Sequence, residues 1–588
     1  MTKTTAPMNA ARAMYRDPLV SRMPFAGILP RQSALFACLL VGYLVIGLFS
    51  ALTLASHDYE TEDLALGNLV VRGEISLYQD ELRSHWPPLP FYVYGTLQTL
   101  TGPSLLSGRL LACVIGALVL ALVFVLATRW AGPLAGAIAA ALFCSHGLVI
   151  GYVSTVHFAG LVALLLLLGL YVLYGAGQWW RPFVAMGIFA SLFLVKNNYW
   201  PAIPFVLALL LVRAQSTRAR VALIGIAVAI PIVFFAWDPL HLKMLAYVPV
   251  MQKWVEPLGY HPWYMLTEDA GQIAASDYAD IVWEFSVAGR LKGIAGGLLF
   301  LGRRYAIWLV LLALVAGIAL WRSRDWRAAA RLWSTAGVAT TFWLFWYLVG
   351  FQFIVMGPYA KQAVGFVGAV APLLAVAIGC LTAVVVERFL PSRGARQALL
   401  SILVVAVLAS PWVHRHHNLP RRVSLADGPT TTLPRVAEQL ATLLPAGESR
   451  IFGLADPMPI YLAGRRTYLR QFNQERWGFT SLRDRVRYAR VGMWGPAEIE
   501  DWLGKDARYA VLESDLVQFY RNRPLYREAI DRIDILLARN FTLLGKVDER
   551  PGDTFSVYRR NAPSAYGDPD SLLAMSITAI LESAVGQR

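Results

Sequence analysis

SALFACLLVGYLVIGLFSALTLASHDYETED, residues 33–63, passes from one solvent regime to another within a few positions. Ser33 to Ser56 carries no charge. It is long enough to cross a hydrocarbon layer about 30 Å thick at ~1.5 Å per residue. HDYETED then sets four carboxylates into seven positions directly beyond it. The rest of the chain repeats the first half of this pattern. A mean hydropathy of +0.49, with 57% hydrophobic and 15% charged residues over 588 positions, leaves too much apolar surface for one water-soluble core. The composition predicts an α-helical polytopic membrane protein.

Further spans are predicted at Leu105 to Thr128, Pro133 to Ile150, Val156 to Tyr174, Phe183 to Val195, Pro201 to Val212, Val221 to Trp237, Tyr305 to Trp321, Leu332 to Gly350, Ala363 to Val386 and Ala398 to Val413, about eleven helices in all. The pair flanking Lys196-Asn197-Asn198-Tyr199-Trp200-Pro201 is short, and Pro201 interrupts it. Orientation follows the arginines, which favour cytoplasmic loops. Arg12, Arg16, Arg22 and Arg31, then Arg213, Arg218 and Arg220, then Arg322, Arg324, Arg327 and Arg331, then Arg388, Arg393 and Arg396 all fall on one side. That side is expected to be the cytoplasm. HDYETED, the loop from Asp238 to about Lys292 and everything after His414 then lie outside, in periplasm or its equivalent, which predicts a multi-pass plasma-membrane protein with an extracytoplasmic tail. The net charge of +15 is largely this bias, so it is no nucleic-acid footprint.

Three regions follow: a cytoplasmic segment 1–32, a membrane region 33–413 with external loops at 58–95 and 238–302, and a C-terminal domain 414–588 of mixed α/β character. The first 32 residues lack an early apolar core and a small-residue cleavage site, so the first span is expected to remain as an anchor. In the tail, Thr432 to Leu444 has helical periodicity, while SRIFGL, RYAVLE and TFSVYR read as short strands. Asp570 to Val585 reads as a short amphipathic helix. Cys38, Cys113, Cys144 and Cys380 all sit in predicted spans, so no disulfide framework is expected.

A solvated loop could be as acidic as HDYETED without any task. The wider segment DYETEDLALGNLVVRGEISLYQDELRSHWPPLPFYVYG has more order than that. Its acidic opening leads into a helical stretch, a turn at Gly73, a polar turn at Tyr78-Gln79-Asp80, and His85-Trp86-Pro87-Pro88-Leu89 returning to apolar sequence. This sequence of elements resembles the polytopic GT-C glycosyltransferases, in particular bacterial relatives of the protein O-mannosyltransferases and of the lipid A aminoarabinose transferase. SGRLLACVIGALVLALVFVLATRWAG is similar to their Arg-led second helix, GIFASLFLVKNNYWPAIP to their Lys-ended segment, and GPYAKQAVGFVGAVAPLLAVAIG to a late helix. IYLAGRR, Ile460 to Arg466, is similar to a stretch of their external domain. Two positions depart from the pattern. Tyr59 stands where an acidic pair would place Glu, and His157 where many relatives are acidic.

The resemblance implies transfer of a sugar from a polyprenyl-phosphate carrier to a glycan, lipid or protein acceptor outside the membrane, with inversion. It implies Asp58 as the base that takes the proton of the acceptor hydroxyl, with Glu62, Asp63 and His85 supporting the base or the acceptor. The departing lipid phosphate needs cations, for which Lys196, Arg303, Arg304 and Lys361 are candidates, with Tyr359 beside the last. Snorkelling to headgroups would place Lys and Arg at the same helix ends. No cofactor is expected. A divalent cation held by Asp58 and Glu62 is the less favoured arrangement, and the run His414, Arg415, His416, His417 suits lipid phosphates better than a metal. A transporter or flippase of lipid-linked sugars is the alternative reading, but it would place ionisable residues in the spans, which here are almost uncharged. An inactive relative is the third.

Overall fold

The structure is a computed structural model that describes residues 30–56, 58–78, 87–175, 178–238, 287–323, 336–356, 360–389, 427–472, 479–480, 493–550 and 552–561, with isolated positions elsewhere. The readings at Gln79, Asp80, His85, Trp86, Tyr359, most of the span from Ala398, His414 to His417 and Asp570 to Val585 lie outside the described residues. So do the side chains of Asp58, Arg304 and Lys361.

The chain enters through α1 (Pro30–Thr53). A helical segment follows, made of α2 (Asp58–Thr61), a π-helical turn (Glu62–Leu66) and α3 (Gly67–Val71). Gly73, at φ 72°, reverses the chain at the turn expected there. Next come α4 (Leu89–Thr101), α5 (Leu105–Ala131), α6 (Pro133–Ser145), α7 (Gly147–Ser154), α8 (Phe158–Leu173), α9 (Arg181–Ala190), α10 (Ala202–Arg213) and α11 (Thr217–Trp237). Later in the chain come α12 (Val287–Arg304), α13 (Ala306–Ser323), α14 (Ala336–Met356) and α15 (Ala360–Phe389).

Local chemistry sets these boundaries. Ser104, His157 and Ser216 each accept a backbone N–H two or three residues on, capping α5, α8 and α11. Gly132 at φ 87° ends α5, and Pro133 opens α6. Among the described residues, five helical stretches are long and apolar enough to cross a membrane: Ala34–Thr53, Leu105–Ala131, Thr217–Trp237, Ala336–Phe353 and Val367–Val386. A sixth is counted if Ile294–Arg303 and Trp308–Leu314, bent by 83°, form one span. Pro133–Ser145, Phe158–Leu173 and Arg181–Leu194 are apolar but shorter. The run read as one helix from Pro133 to Ile150 is broken at His146, and the run to Val195 tightens into a 3₁₀ turn at Ser191–Leu194. α15 is the central helix, with 94% of its apolar window enclosed, whereas α11 at 17% lies on the rim.

After Gly428 comes a compact α/β unit. It holds α16 (Pro429–Leu443), β1 (Ile451–Leu454), α17 (Pro457–Leu462), α18 (Leu469–Phe472), α19 (Pro496–Glu498), β2 (Tyr509–Glu513), α20 (Ser514–Arg521), α21 (Pro524–Asn540), β3 (Phe541–Arg550) and β4 (Asp553–Arg560). The sheet order is β1-β2-β4-β3; β1 and β2 run parallel and the other pairs antiparallel, with Val511 opposite Val557. Alternation sends Phe452, Leu454, Ala510 and Leu512 toward α20 and α21, while Ile451, Val511 and Val557 pack with α16 residues Val436 and Leu440. Both faces are therefore covered.

This unit rests on the helical region. Leu433, Met458, Tyr461 and Phe472 join its apolar core, and Gly428 lies so close to Leu52 that a Cβ would meet the Leu52 carbonyl oxygen at 2.2 Å. Arg466 pairs with Glu74 at 3.4 Å.

Candidate functional site

The acidic segment after α1 is neither a loop nor solvated along its described part. Glu60, Thr61, Glu62 and Asp63 are all buried, Glu60 completely. Burying an ionised carboxylate is costly unless it is paired, and Glu60 has such a partner. Arg109, one turn into α5, donates from Nε and Nη2 to the two Glu60 oxygens at 2.8 and 2.6 Å, and the Val156 N–H donates to Oε1 at 3.1 Å. The same guanidinium reaches the Ala51, Leu54 and Ala55 carbonyls at 2.6, 2.8 and 3.3 Å. Arg109 thus closes the end of α1 and fixes where the acidic helix begins. Sequence reading placed Arg109 in its Arg-led helix and gave Glu60 no role; the signal available was a lone arginine in an apolar helix, whose charge demands a partner.

The π-helical turn carries the two sequence-chosen acids. Single π turns inside α-helices are rare and fall frequently at functional sites. Glu62 and Asp63 are 3% and 5% exposed, and Asp63 Oδ2 is buried without a hydrogen-bond partner. Burial, then the neighbouring charge of Glu62, holds the Asp63 carboxyl above its ordinary value, while Lys196 acts in the opposite direction. Lys196, 1% exposed, follows the 3₁₀ turn after α9, and its ammonium lies in the field of both acids. Its Nζ also sits 4.5 Å from the Phe158 ring centroid, in cation–π range. The structure therefore brings Glu62, Asp63 and Lys196 within electrostatic range of one another.

Two further groups complete the wall. Tyr94 of α4 lies near Asp63, and its hydroxyl meets the His157 backbone. His157 accepts from the Ala159 N–H through Nδ1 at 3.1 Å, with the Tyr152 and Phe158 rings 4.6 and 4.0 Å away. Where an acid was expected, the imidazole caps α8.

The segment is held from its far side as well. Gly67 and Gly95 pack backbone against backbone: a Cβ on Gly95 would lie 2.2 Å from the Gly67 carbonyl. Asn68 Nδ2 donates to the Tyr461 hydroxyl at 2.9 Å, Thr99 donates to Asn68 Oδ1 at 3.0 Å, and Tyr461 donates to Gln98 Oε1 at 3.4 Å. IYLAGRR thus belongs to a joint: Tyr461 docks on α3 and α4, and Arg465 caps α16 through the Leu444 carbonyl at 2.8 Å.

Arg303 is exposed at the end of α12, and among the described residues no hydrogen bond or ion pair joins it to Asp63 or Lys196. Tyr305, just beyond, is buried and stacks on His146 at 4.3 Å. Away from the site, ligand atoms of Glu513, Glu549 and Asp553 lie within 4.8 Å of one another, a spacing a cation could use. Glu513 already accepts from the Asp456 N–H at 2.6 Å, and Asp553 from Arg550, Ser514 and the Asp515 N–H.

Chemically, the Glu62–Asp63–Lys196 group can take up a proton at a carboxylate of raised basicity beside the buried Lys196 amine. No protein-family model matches the chain. No curated protein matches it either. Among solved structures the chain is similar to ArnT from Cupriavidus metallidurans, both bound to undecaprenyl phosphate and in the apo state, with 13% identity and a TM-score of 0.48 in each case, over 89% of this chain and 97% of that one.

Proposed function

We propose that the protein is a membrane glycosyltransferase that moves a sugar from a polyprenyl-phosphate carrier to an acceptor at the extracytoplasmic face. The observation that carries the reading is the buried Asp63, its Oδ2 unbonded, beside Glu62 and Lys196 at the end of the helices on which the α/β unit sits. The sequence resemblance supplies the donor class. The acceptor hydroxyl gives its proton to a carboxylate, its oxygen bonds the anomeric carbon, and the bond from that carbon to the carrier phosphate breaks with its electron pair on the phosphate. A one-step attack of this kind inverts the anomeric centre.

Asp58, at the head of the same helical segment, and Asp63 are the two candidates for the one proton acceptor in this reading, with Glu62 orienting Lys196. Asp63 is favoured for the proton because its buried, unbonded oxygen and raised basicity suit a base. Asp58 is then the contact to the acceptor sugar. Lys196, Lys361, Tyr359, Arg303 and Arg304 are the proposed phosphate partners, and His85 an acceptor contact. The test uses the protein reconstituted in vesicles with a labelled polyprenyl-phosphate sugar. Label appearing in a water-soluble or lipid acceptor supports transfer; label crossing the bilayer still attached to its carrier supports a flippase.

A further inference from the structure

At the ends of α5, α9 and α10 opposite Arg109 and Lys196, the helices hold a second charged group that the proposed reaction does not use. Arg129 lies in the last turn of α5, Arg181 opens α9, and Arg213 closes α10. All three are half-buried. They gather around Tyr174 at the end of α8. Arg213 donates to the Tyr174 hydroxyl at 3.5 Å with its guanidinium 5.4 Å from the ring. Trp130, next to Arg129, meets the same ring edge-on at 5.7 Å. The Arg181 guanidinium is pressed against Gly175, where a Cβ would lie 0.9 Å from Nη1. Arg129 and Arg181 are near enough to repel one another.

Half-buried guanidiniums normally find carboxylates. Among the described residues none of these three forms an ion pair, and Arg181 Nε is buried without a hydrogen-bond partner. Arginines that merely follow the positive-inside bias extend into solvent, as the exposed Arg218 does. Here they converge between helices instead, and like charges held together call for an anion. The planar fork of arginine suits the oxygens of a phosphate. The surroundings point to one borne by a lipid: Trp179 and Trp180 beside Arg181 are exposed to 64% and 39%, as expected of an aromatic belt at a membrane interface. Basic pockets between transmembrane helices are known to take anionic headgroups.

We propose that Arg129, Arg181 and Arg213 form a binding site for the phosphate of an anionic phospholipid in the leaflet opposite the candidate transfer site. The proposal is independent of the glycosyltransferase reading.

Delipidated protein is exposed to mixed phosphatidylglycerol and phosphatidylcholine, and the lipid retained is read by native mass spectrometry. The parent is expected to hold phosphatidylglycerol about tenfold in preference to phosphatidylcholine. R129Q/R181Q/R213Q abolishes that preference, and Arg218→Gln leaves it intact. Should the triple variant fail to fold, Arg213→Gln alone is expected to reduce the preference while the melting profile stays cooperative. Equal retention by parent and Arg213→Gln, or equal loss in Arg218→Gln, overturns the site. If inorganic phosphate stabilises the parent but not the Arg213 variant, and no phospholipid is retained, the ligand is a soluble phosphate and the lipid assignment is wrong.

Discussion

Asn68 and Tyr461, 393 positions apart, share a hydrogen bond of 2.9 Å that ties the α/β unit to the helical segment bearing Glu62 and Asp63. Tyr461→Phe removes that contact and the one to Gln98, for a stability loss of about 1 kcal/mol. Tyr461→Ala also empties a pocket between the two regions. Hydrogen exchange is the direct readout: amides of residues 62–71 should exchange faster in Tyr461→Ala than in the parent, while those of β2 keep their protection. Unchanged exchange over 62–71 would show that the acidic segment is positioned without the α/β unit.

Glu60 and Arg109 are both fully buried, and removing either leaves the other without its counter-charge. Truncating one partner of such a pair costs about 3–5 kcal/mol. Arg109→Met should therefore give poorly folded protein, and its loss should exceed that of Glu60→Gln, because Arg109 also serves three carbonyls at the end of α1. Thermal unfolding in detergent orders the two variants, and the reverse order would refute the role given to those carbonyls.

Gly95→Ala pushes a methyl group into the Gly67 backbone, and neither side is a flexible side chain. Overpacking of this kind costs about 1–3 kcal/mol. Since α3 continues from the turn that carries Asp63, transfer should fall along with stability. Gly102→Ala is the control: its φ of 80° strains the backbone without any such contact, so it should lower stability and leave transfer per folded molecule unchanged.

Glu513 gives a pH dependence whose direction follows from its surroundings. Burial, then the charges of Asp456, Asp553 and Glu549, holds its carboxyl well above 4.5 despite the Asp456 N–H it accepts and Arg550 beside Asp553. The folded state binds this proton more tightly than the unfolded state. The group's contribution to stability is therefore full below the unfolded value and is lost as pH rises through the folded one. Glu513→Gln keeps an acceptor for the Asp456 N–H and cannot ionise. It should melt above the parent near neutrality, by about 1 kcal/mol or roughly 4 °C, and the gap should close on acidification toward 4.5. A gap that does not change with pH would contradict the assignment.

Much of the helical architecture was legible because long uncharged runs admit few readings: the span read at Ser33 to Ser56 corresponds to α1, and the one from Leu105 to α5. Strands read at SRIFGL, RYAVLE and TFSVYR fall at β1, β2 and β4. β3 was not read, because FTLLGKVDER is largely exposed and lacks a clean two-residue alternation. Glu62, Asp63 and Lys196 were picked out as types and positions. That Glu60 to Asp63 would be buried was not legible, since it depends on Arg109 and the Val156 N–H, 49 and 96 positions from Glu60. Single-span predictions at Pro133 and Phe183 ran past real breaks because His146 and the turn at Ser191 interrupt the helix without any change in apolarity.

The central claim is that Asp63, beside Lys196, accepts the proton of the acceptor hydroxyl in the proposed sugar transfer. It is tested most directly by the transfer rate of reconstituted Asp63→Asn against the parent, with labelled polyprenyl-phosphate sugar as donor. A general base contributes about 10²–10⁴-fold, so a loss of at least 10²-fold with unaltered donor binding is predicted. Parental turnover in Asp63→Asn would contradict it.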